Sequence, residues 1–585
     1  MTGLTSDVCH FGLAHRTPSP APMGAIIQKS TLPIILSCHP SPGLESLPDD
    51  LLLLVISLIG VEDILALRMT SKRFISVTRQ RWVWSDALKH HVIDRRLPVP
   101  AFIPDLNSLS AKELEVRAIH ASRFHRNWCS PHPRSRRNVD FPTREPIAED
   151  LSSLSLSKDH PHPISQVLFP PGYNGQLLIT VEQNRVACWE IAFEGSEAFL
   201  VAERNLAGRV IDGLVINDDP DNEAMLIVMS SRLVGMPPLF EIEAEVWALD
   251  KFHGSFTTLR SVLLSRNTQR RLSPTARLCG DLALLGDPVV LWNWKRGGAF
   301  FTMSSGNIHH SPTVNHIVSI CPVGASAYFE QYQPDSVLAV RLVRNHLLVV
   351  RQSHIQLLPI PRFDQCGHAY KGASTFGAFL HVQDPATEAV VIVHEMTEEE
   401  RGAWQFNPVT ILMRVTTAIG HWIRKYDLLP RPVATAGQAA ENELREEQGS
   451  DIERRPRPTD SPCTLPARPT QTIPVPPSCS NLVVGRNGKG LWMETQNLTC
   501  GRTTFPVRCF VGFDATSQLV PAQDSQPSRW QNDLTVRRNG LYKSRVGPGE
   551  VHERKYRILT SSLEDTVGRI AIGGRDGRVQ ILDYA

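Results

Sequence analysis

What most limits the fold of this chain is a unit that recurs from Ile164 onward: a short β run, a polar turn, and a second β run ending near Trp or Asp. Residues 177–191 show it most plainly. LLITVE and RVACWEI alternate in polarity around a turn at Glu182-Gln183-Asn184, the period-two pattern of a half-buried strand pair. The same layout returns at 282–294, 337–360, 481–495 and 569–585. Asn487-Gly488 and Asp576-Gly577 stand at two of the tips, and such pairs supply the positive φ angles of a tight two-residue hairpin. Residues 245–250, 376–382 and 389–396 add further strands. So many short strands in series must pack as several sheets, because an isolated hairpin buries too little to hold itself together.

These units resemble degenerate WD-type repeats of a β-propeller, most closely at Cys188-Trp189-Glu190, Leu291-Trp292-Asn293 and Leu582-Asp583, although the Gly-His dipeptide of that repeat is missing. The resemblance implies an all-β domain over 164–585 with seven or eight blades. Roughly 370 residues at about 40–45 per blade give eight, and irregular loops make seven an equal reading. A final strand reaching Ala585 suits a ring whose last blade takes strands from both ends of the domain, leaving no free edge. A pair of β-sandwiches is the alternative arrangement of the same strands. Residues 429–478, rich in Pro, Ala and mixed charge, are expected to be a disordered insertion.

Ahead of this domain the texture is helical. In 47–84, Pro48, Asp49 and Asp50 precede an apolar run that stops at Gly60, which spells a helix start with acids in its first turn and a glycine end. Leu52, Val55, Ile56 and Ile59 share one face, yet Leu51, Leu53, Leu54 and Leu58 make the other faces apolar too, so cover is needed on more than one side. A second helical pattern follows from Asp63 and a third from Ser71. A membrane span is excluded because Glu62 and Asp63 end the apolar run short of the roughly 20 residues required. A helical hairpin buried within a larger domain is the plain alternative. Ser110 and Glu113 have capping-box spacing and predict a helix running to about Arg123. Together 44–129 reads as a small all-α domain, 1–43 as a Pro- and Ser-rich disordered leader, and 130–163 as a linker holding the helical and β domains apart.

The order Leu47-Pro48, Leu51-Leu52, Val55-Ile56, Leu58-Ile59, Asp63-Ile64-Leu65, Leu67-Arg68, Ser71-Lys72-Arg73-Phe74 and a late Trp resembles the F-box, over about forty residues. That resemblance implies docking on the Skp adaptor subunit of cullin–RING ubiquitin ligases. Leu52, Val55, Ile56, Ile59, Ile64, Leu67 and Phe74 would then face the adaptor together with Ser71. Leu47 and Pro48 would set the start of the first helix, and Trp82 or Trp84 would close the far edge. The implied function is a non-catalytic substrate-recognition subunit whose propeller binds an unidentified target protein; the alternative is an F-box scaffold that delivers no substrate.

Composition adds exclusions. A net charge of +2 calls for neither nucleic acid nor an anionic membrane as partner. The eleven cysteines contain no Cys-x-x-Cys, which argues against a disulfide framework or zinc ribbon, and with no signal-peptide pattern the expected location is cytoplasm or nucleus. Gly485-x-x-Gly488-x-Gly490 lacks the spacing of either phosphate-binding fingerprint and reads as a hairpin instead. Cys366-Gly367-His368 carries no nucleophile signature, the paired histidines lack companion ligands, and Arg134, Arg136 and Arg137 read as a solvated linker. Neither catalytic residues nor a cofactor or metal is expected.

Overall fold

The acids behind Pro48 do open a helix, and the capping box at Ser110 opens another, so the helical part follows its sequence signals closely. In the computed structural model, described residues are 43–99, 106–143, 162–192, 197–235, 239–267, 276–285, 289–296, 300–304, 307–310, 336–360, 378–382, 384–432, 462–500, 503–520, 529–543 and 558–585. The chain divides into two units, Met1–Leu52 and Leu53–Ala585, the division falling inside the first helix. The described part of the first unit is a 3-10 turn, Leu44–Ser46, and the opening of helix α1 (Asp49–Leu58).

In the second unit α1 ends and α2 (Val61–Arg68), α3 (Lys72–Thr78), α4 (Arg81–Leu88) and α5 (Ala111–Cys129) follow. Each boundary has a local cause. Ser71 accepts a hydrogen bond from the Phe74 amide and so caps α3. Ser110 and Glu113 form the reciprocal capping box on α5, satisfying two amides that the helix leaves open. Ile56, Val61, Ile64, Val77, Val83, Trp84 and Leu88 pack with Leu114, Ala118 and Ala121 of α5 into one helical core. Trp84 sits at its centre, with its indole N–H donating to the Thr78 carbonyl at 2.7 Å and the Arg68 guanidinium 5.3 Å above its ring. Arg68 also pairs with Glu115 at 2.6 Å. Among the described residues no helix is long and apolar enough to cross a membrane.

The rest of the described chain forms seven antiparallel sheets arranged as a seven-bladed β-propeller, which answers the question of seven or eight blades. In chain order the blades are 164–205, 210–267, 276–310, 337–381, 386–475, 480–543 and 558–583, the last completed by Arg137–Pro142. Val139 pairs with Ile581 and Phe141 with Val579, so an N-terminal strand closes the ring as expected from the final strand. The segment 130–163, expected as a linker, therefore supplies part of blade 7. Its alternation of buried Val139 and Phe141 with exposed neighbours was masked by the surrounding arginines and prolines.

The expected insertion 429–478 is likewise narrower. Cys463–Thr464 and Gln471–Val475 both pair with Gly420–Pro430 in blade 5, because Ile473 and Val475 bury one face of an otherwise polar segment. Residues 433–461, the leader up to residue 42 and Cys366-Gly367-His368 lie outside the described residues. A short helix α6 (Glu398–Ala403) follows the first strand of blade 5 and carries its own capping box, Thr397 with Glu400. Strand tryptophans anchor the blades by their indole N–H groups: Trp189 to Thr180 at 3.0 Å, Trp247 to Glu245 at 3.0 Å and Trp492 to Glu494 at 3.2 Å.

Candidate partner-binding site

Helix α1 is apolar on every side, and the fold uses its faces differently. Leu52 and Ile56 are buried, while Leu54 is 59% exposed, Leu58 is 77% exposed, and Leu51 on the same stripe is exposed as well. Met69, which ends α2, is 85% exposed, and Trp82 in the first turn of α4 is 49% exposed. Bare apolar side chains of this size on three short helices are the usual mark of a surface that another protein covers.

The residues that the resemblance assigns to the adaptor face are placed unevenly. Leu52, Ile56, Ile64, Phe74 and Trp84 are buried in the free chain. Ile59 and Leu67 are half-buried against the helical core, and Val55 is half-buried. Ser71 is engaged as the α3 cap, Leu47 is half-buried, and Pro48 is exposed. Of the two tryptophans, Trp84 belongs to the core and Trp82 to the surface. The reason is geometric: helical periodicity sorts residues into faces, but in an all-apolar helix it does not say which face turns inward. Leu54 and Leu58, four apart, were legible as a stripe; only their exposure was not.

The far end of α5 behaves otherwise. Phe124 and Trp128 are fully buried among Leu491, Phe510, Ile570, Ile572 and Tyr584 of blades 6 and 7. Trp128 meets Phe124 and Tyr584 edge-on, with ring centroids at 5.5 and 6.3 Å. Gly568, at φ +71, lies so close under Phe124 that a Cβ would come within 2.5 Å of the ring, so the helix seats where only glycine fits. Asn127 donates to the Tyr584 carbonyl at 2.7 Å, and the His120 imidazole lies 3.2 Å from the Val567 carbonyl, where burial holds its pKa below the usual range. Arg96 pairs with Glu400 of α6 at 2.7 Å and lies 5.3 Å over the Trp530 ring. The helical part from Leu53 onward is thus built into the propeller, not tethered to it through a flexible linker.

Two charged features lie inside the propeller. Arg277 and Arg341, from the innermost strands of blades 3 and 4, both donate to the Asp218 carboxylate at 2.8 Å, and Arg486 of blade 6 donates to the Asp218 carbonyl. The Gly485–Gly488 loop proves to be a four-residue connection, longer than a two-residue hairpin. Its tip wraps the buried Asp565 carboxylate, which accepts from the Asn487 and Lys489 amides at 2.8 and 3.3 Å. Desolvation, reinforced by neighbouring Glu564, pushes the Asp565 carboxyl up to about 7. A loop with a superficial likeness to a phosphate loop thus cradles an acidic group of the chain's own, the Asp565 carboxyl. None of these long-range partners was visible in sequence, since each pair is separated by tens to hundreds of residues.

Residues 44–86 match the family described as the F-box domain. No curated protein matches the chain. Among solved structures the chain is similar to one described as the crystal structure of the WD40 domain of SCAP from fission yeast, at 9% identity, with a TM-score of 0.31, covering 72% of this chain and 82% of that chain. At that TM-score the likeness carries no argument, and the propeller rests on its seven sheets and their closure. F-box domains are adaptor modules that generally bind Skp-type partners. The chain accordingly carries an F-box domain at residues 44–86, followed by a seven-bladed β-propeller.

Proposed function

We propose that this protein is the substrate-recognition subunit of a Skp–cullin–F-box ubiquitin ligase, with the F-box binding the Skp adaptor and the propeller holding a target protein. The observation that carries the reading is the set of large apolar side chains, Leu51, Leu54, Leu58, Met69 and Trp82, left bare on the F-box while Ile56, Val61, Ile64, Val77, Val83 and Trp84 are committed to the helical core. Ubiquitin transfer belongs to other subunits on this reading. The contribution of this chain is proximity: α5 enters both the helical core and the propeller core, so a target lysine is held at a fixed offset from the adaptor.

The test is the double variant Leu54→Asp with Leu58→Asp in the full chain. Central apolar anchors are each worth about 2 kcal/mol, roughly 30-fold in affinity, so co-purification with the Skp adaptor is expected to vanish while the circular dichroism of the propeller is unchanged. Undiminished adaptor binding overturns the assignment. Recovery of a cullin with the wild-type chain, and accumulation of one bound protein when residues 44–86 are deleted, distinguishes a receptor from a scaffold that delivers no substrate.

A further inference from the structure

The geometry points to a site of a different kind: a divalent-metal site of the zinc class, made by His125, Cys129 and Asp514 where α5 lies on blade 6. His125 and Cys129 are four residues apart on α5, one step round the helix from Phe124 and Trp128, which the propeller core has already swallowed. That packing fixes the pair over the blade. Asp514 comes from Thr503–Val520, 385 residues further along the chain than Cys129, and is the cross-strand partner of Lys489. One ligand atom from each of the three residues lies within 4.8 Å of the other two.

The donor atoms are close to a coordinating arrangement as they stand. Cys129 Sγ is 3.7 Å from His125 Nε2 and 3.8 Å from Nδ1. A tetrahedral zinc with bonds of about 2.3 Å to sulfur and 2.0 Å to nitrogen separates the two ligand atoms by about 3.5 Å. The carboxylate supplies an independent sign. Asp514 is 8% exposed; its Oδ2 accepts from Lys489 Nζ at 2.8 Å, and its Oδ1 is buried without a hydrogen-bond partner. A buried carboxylate oxygen with no donor is costly in a fold of this size unless something positive meets it. Lys489 would then act as the outer partner that orients a metal-binding carboxylate, as such groups commonly do.

The chemistry balances. A divalent ion binds with release of one proton from the Cys129 thiol, and the thiolate and the Asp514 carboxylate together neutralise its charge, with imidazole as the third ligand. A mixed sulfur, nitrogen and oxygen set suits zinc over calcium or magnesium, which take oxygen ligands. Three protein ligands leave a fourth position for water. The effect of the ion is a clip between α5 and blade 6, holding the F-box side of the molecule against the propeller.

The experiment uses the full chain, stripped with a chelator, desalted and titrated with Zn²⁺, or with Co²⁺ to read thiolate coordination by absorption. One equivalent of zinc is expected at this site. It should raise the thermal midpoint, and at about tenfold excess over its dissociation constant it should slow alkylation of Cys129, read by peptide mapping, by about tenfold. Cys129→Ala and His125→Gln should each lose that equivalent. Zinc retained in full by both variants, or alkylation of Cys129 indifferent to zinc, overturns the proposal. Should Cys129→Ala fail to fold, the alkylation rate in the wild-type chain decides alone.

Discussion

The outer stripe of α1 and the distal half of α5 are written in the same alphabet and meet opposite fates. Leu54 and Leu58 stand four apart on one helix and remain in water; Phe124 and Trp128 stand four apart on another and are sealed beneath blades 6 and 7. Both pairs satisfy the apolar spacing of a helix that needs cover. What separates them is that the propeller offers a matching surface to α5, including a glycine where Phe124 presses closest, and that none of the described residues covers Leu54 and Leu58. An apolar face states that a neighbour is required and does not say whether that neighbour is in the same chain.

The largest expected effect tests the covered side of this contrast. Trp128→Ala removes a fully buried side chain from the propeller core and should cost about 3–5 kcal/mol, measured by urea unfolding followed by tryptophan fluorescence and circular dichroism. A loss near zero would mean that α5 does not dock as described. Burial by the propeller also governs protonation. Burial of His394 in blade 5 pulls its imidazole down to about 4. Its neutral ring lies 3.0 Å from the Thr410 hydroxyl, which in turn donates to Asp427.

Because the folded pKa is depressed, the stability this burial contributes is complete above the unfolded value of 6.5 and is lost as pH falls from there toward 4. Roughly 3 kcal/mol should disappear across that window, and His394→Gln should flatten the loss in pH-dependent urea midpoints. Asp565, whose folded pKa is raised, has the opposite sign: its contribution falls as pH rises from about 4 to 7, so Asp565→Asn should unmask the histidine loss more fully. The smallest effect tests the bare side. Leu58→Ser should leave stability within about 0.5 kcal/mol of wild type, since the side chain is already in water, while weakening adaptor binding. A large loss of stability would show that the stripe is covered within the chain.

Much of the local structure was legible. Ser110 with Glu113 marked the α5 start, although the helix runs on to Cys129, six residues beyond the expected end, since Phe124 and Trp128 continue its buried face into the propeller. The turn at Gln183-Asn184 was legible because strand alternation breaks there, and Gln183 takes the positive φ the turn demands. The strand Arg137–Pro142 was not, because two alternating apolar residues among arginines and prolines are too few to stand out until the last blade lacks an edge. Of the candidate metal site, the His125 and Cys129 pair at helical spacing was available as a signal; Asp514 was not.

By itself the sequence determined the elements: helices from caps and periodicity, strands from alternation, the F-box from the order of its apolar pairs. Tertiary structure alone decided which apolar face is spare, that the segment after Ser130 is part of the ring, and which distant charges share a site. The physical reason is that periodicity and capping are properties of a dozen neighbouring residues, whereas burial, desolvation and close approach depend on what the rest of the chain brings to the same place.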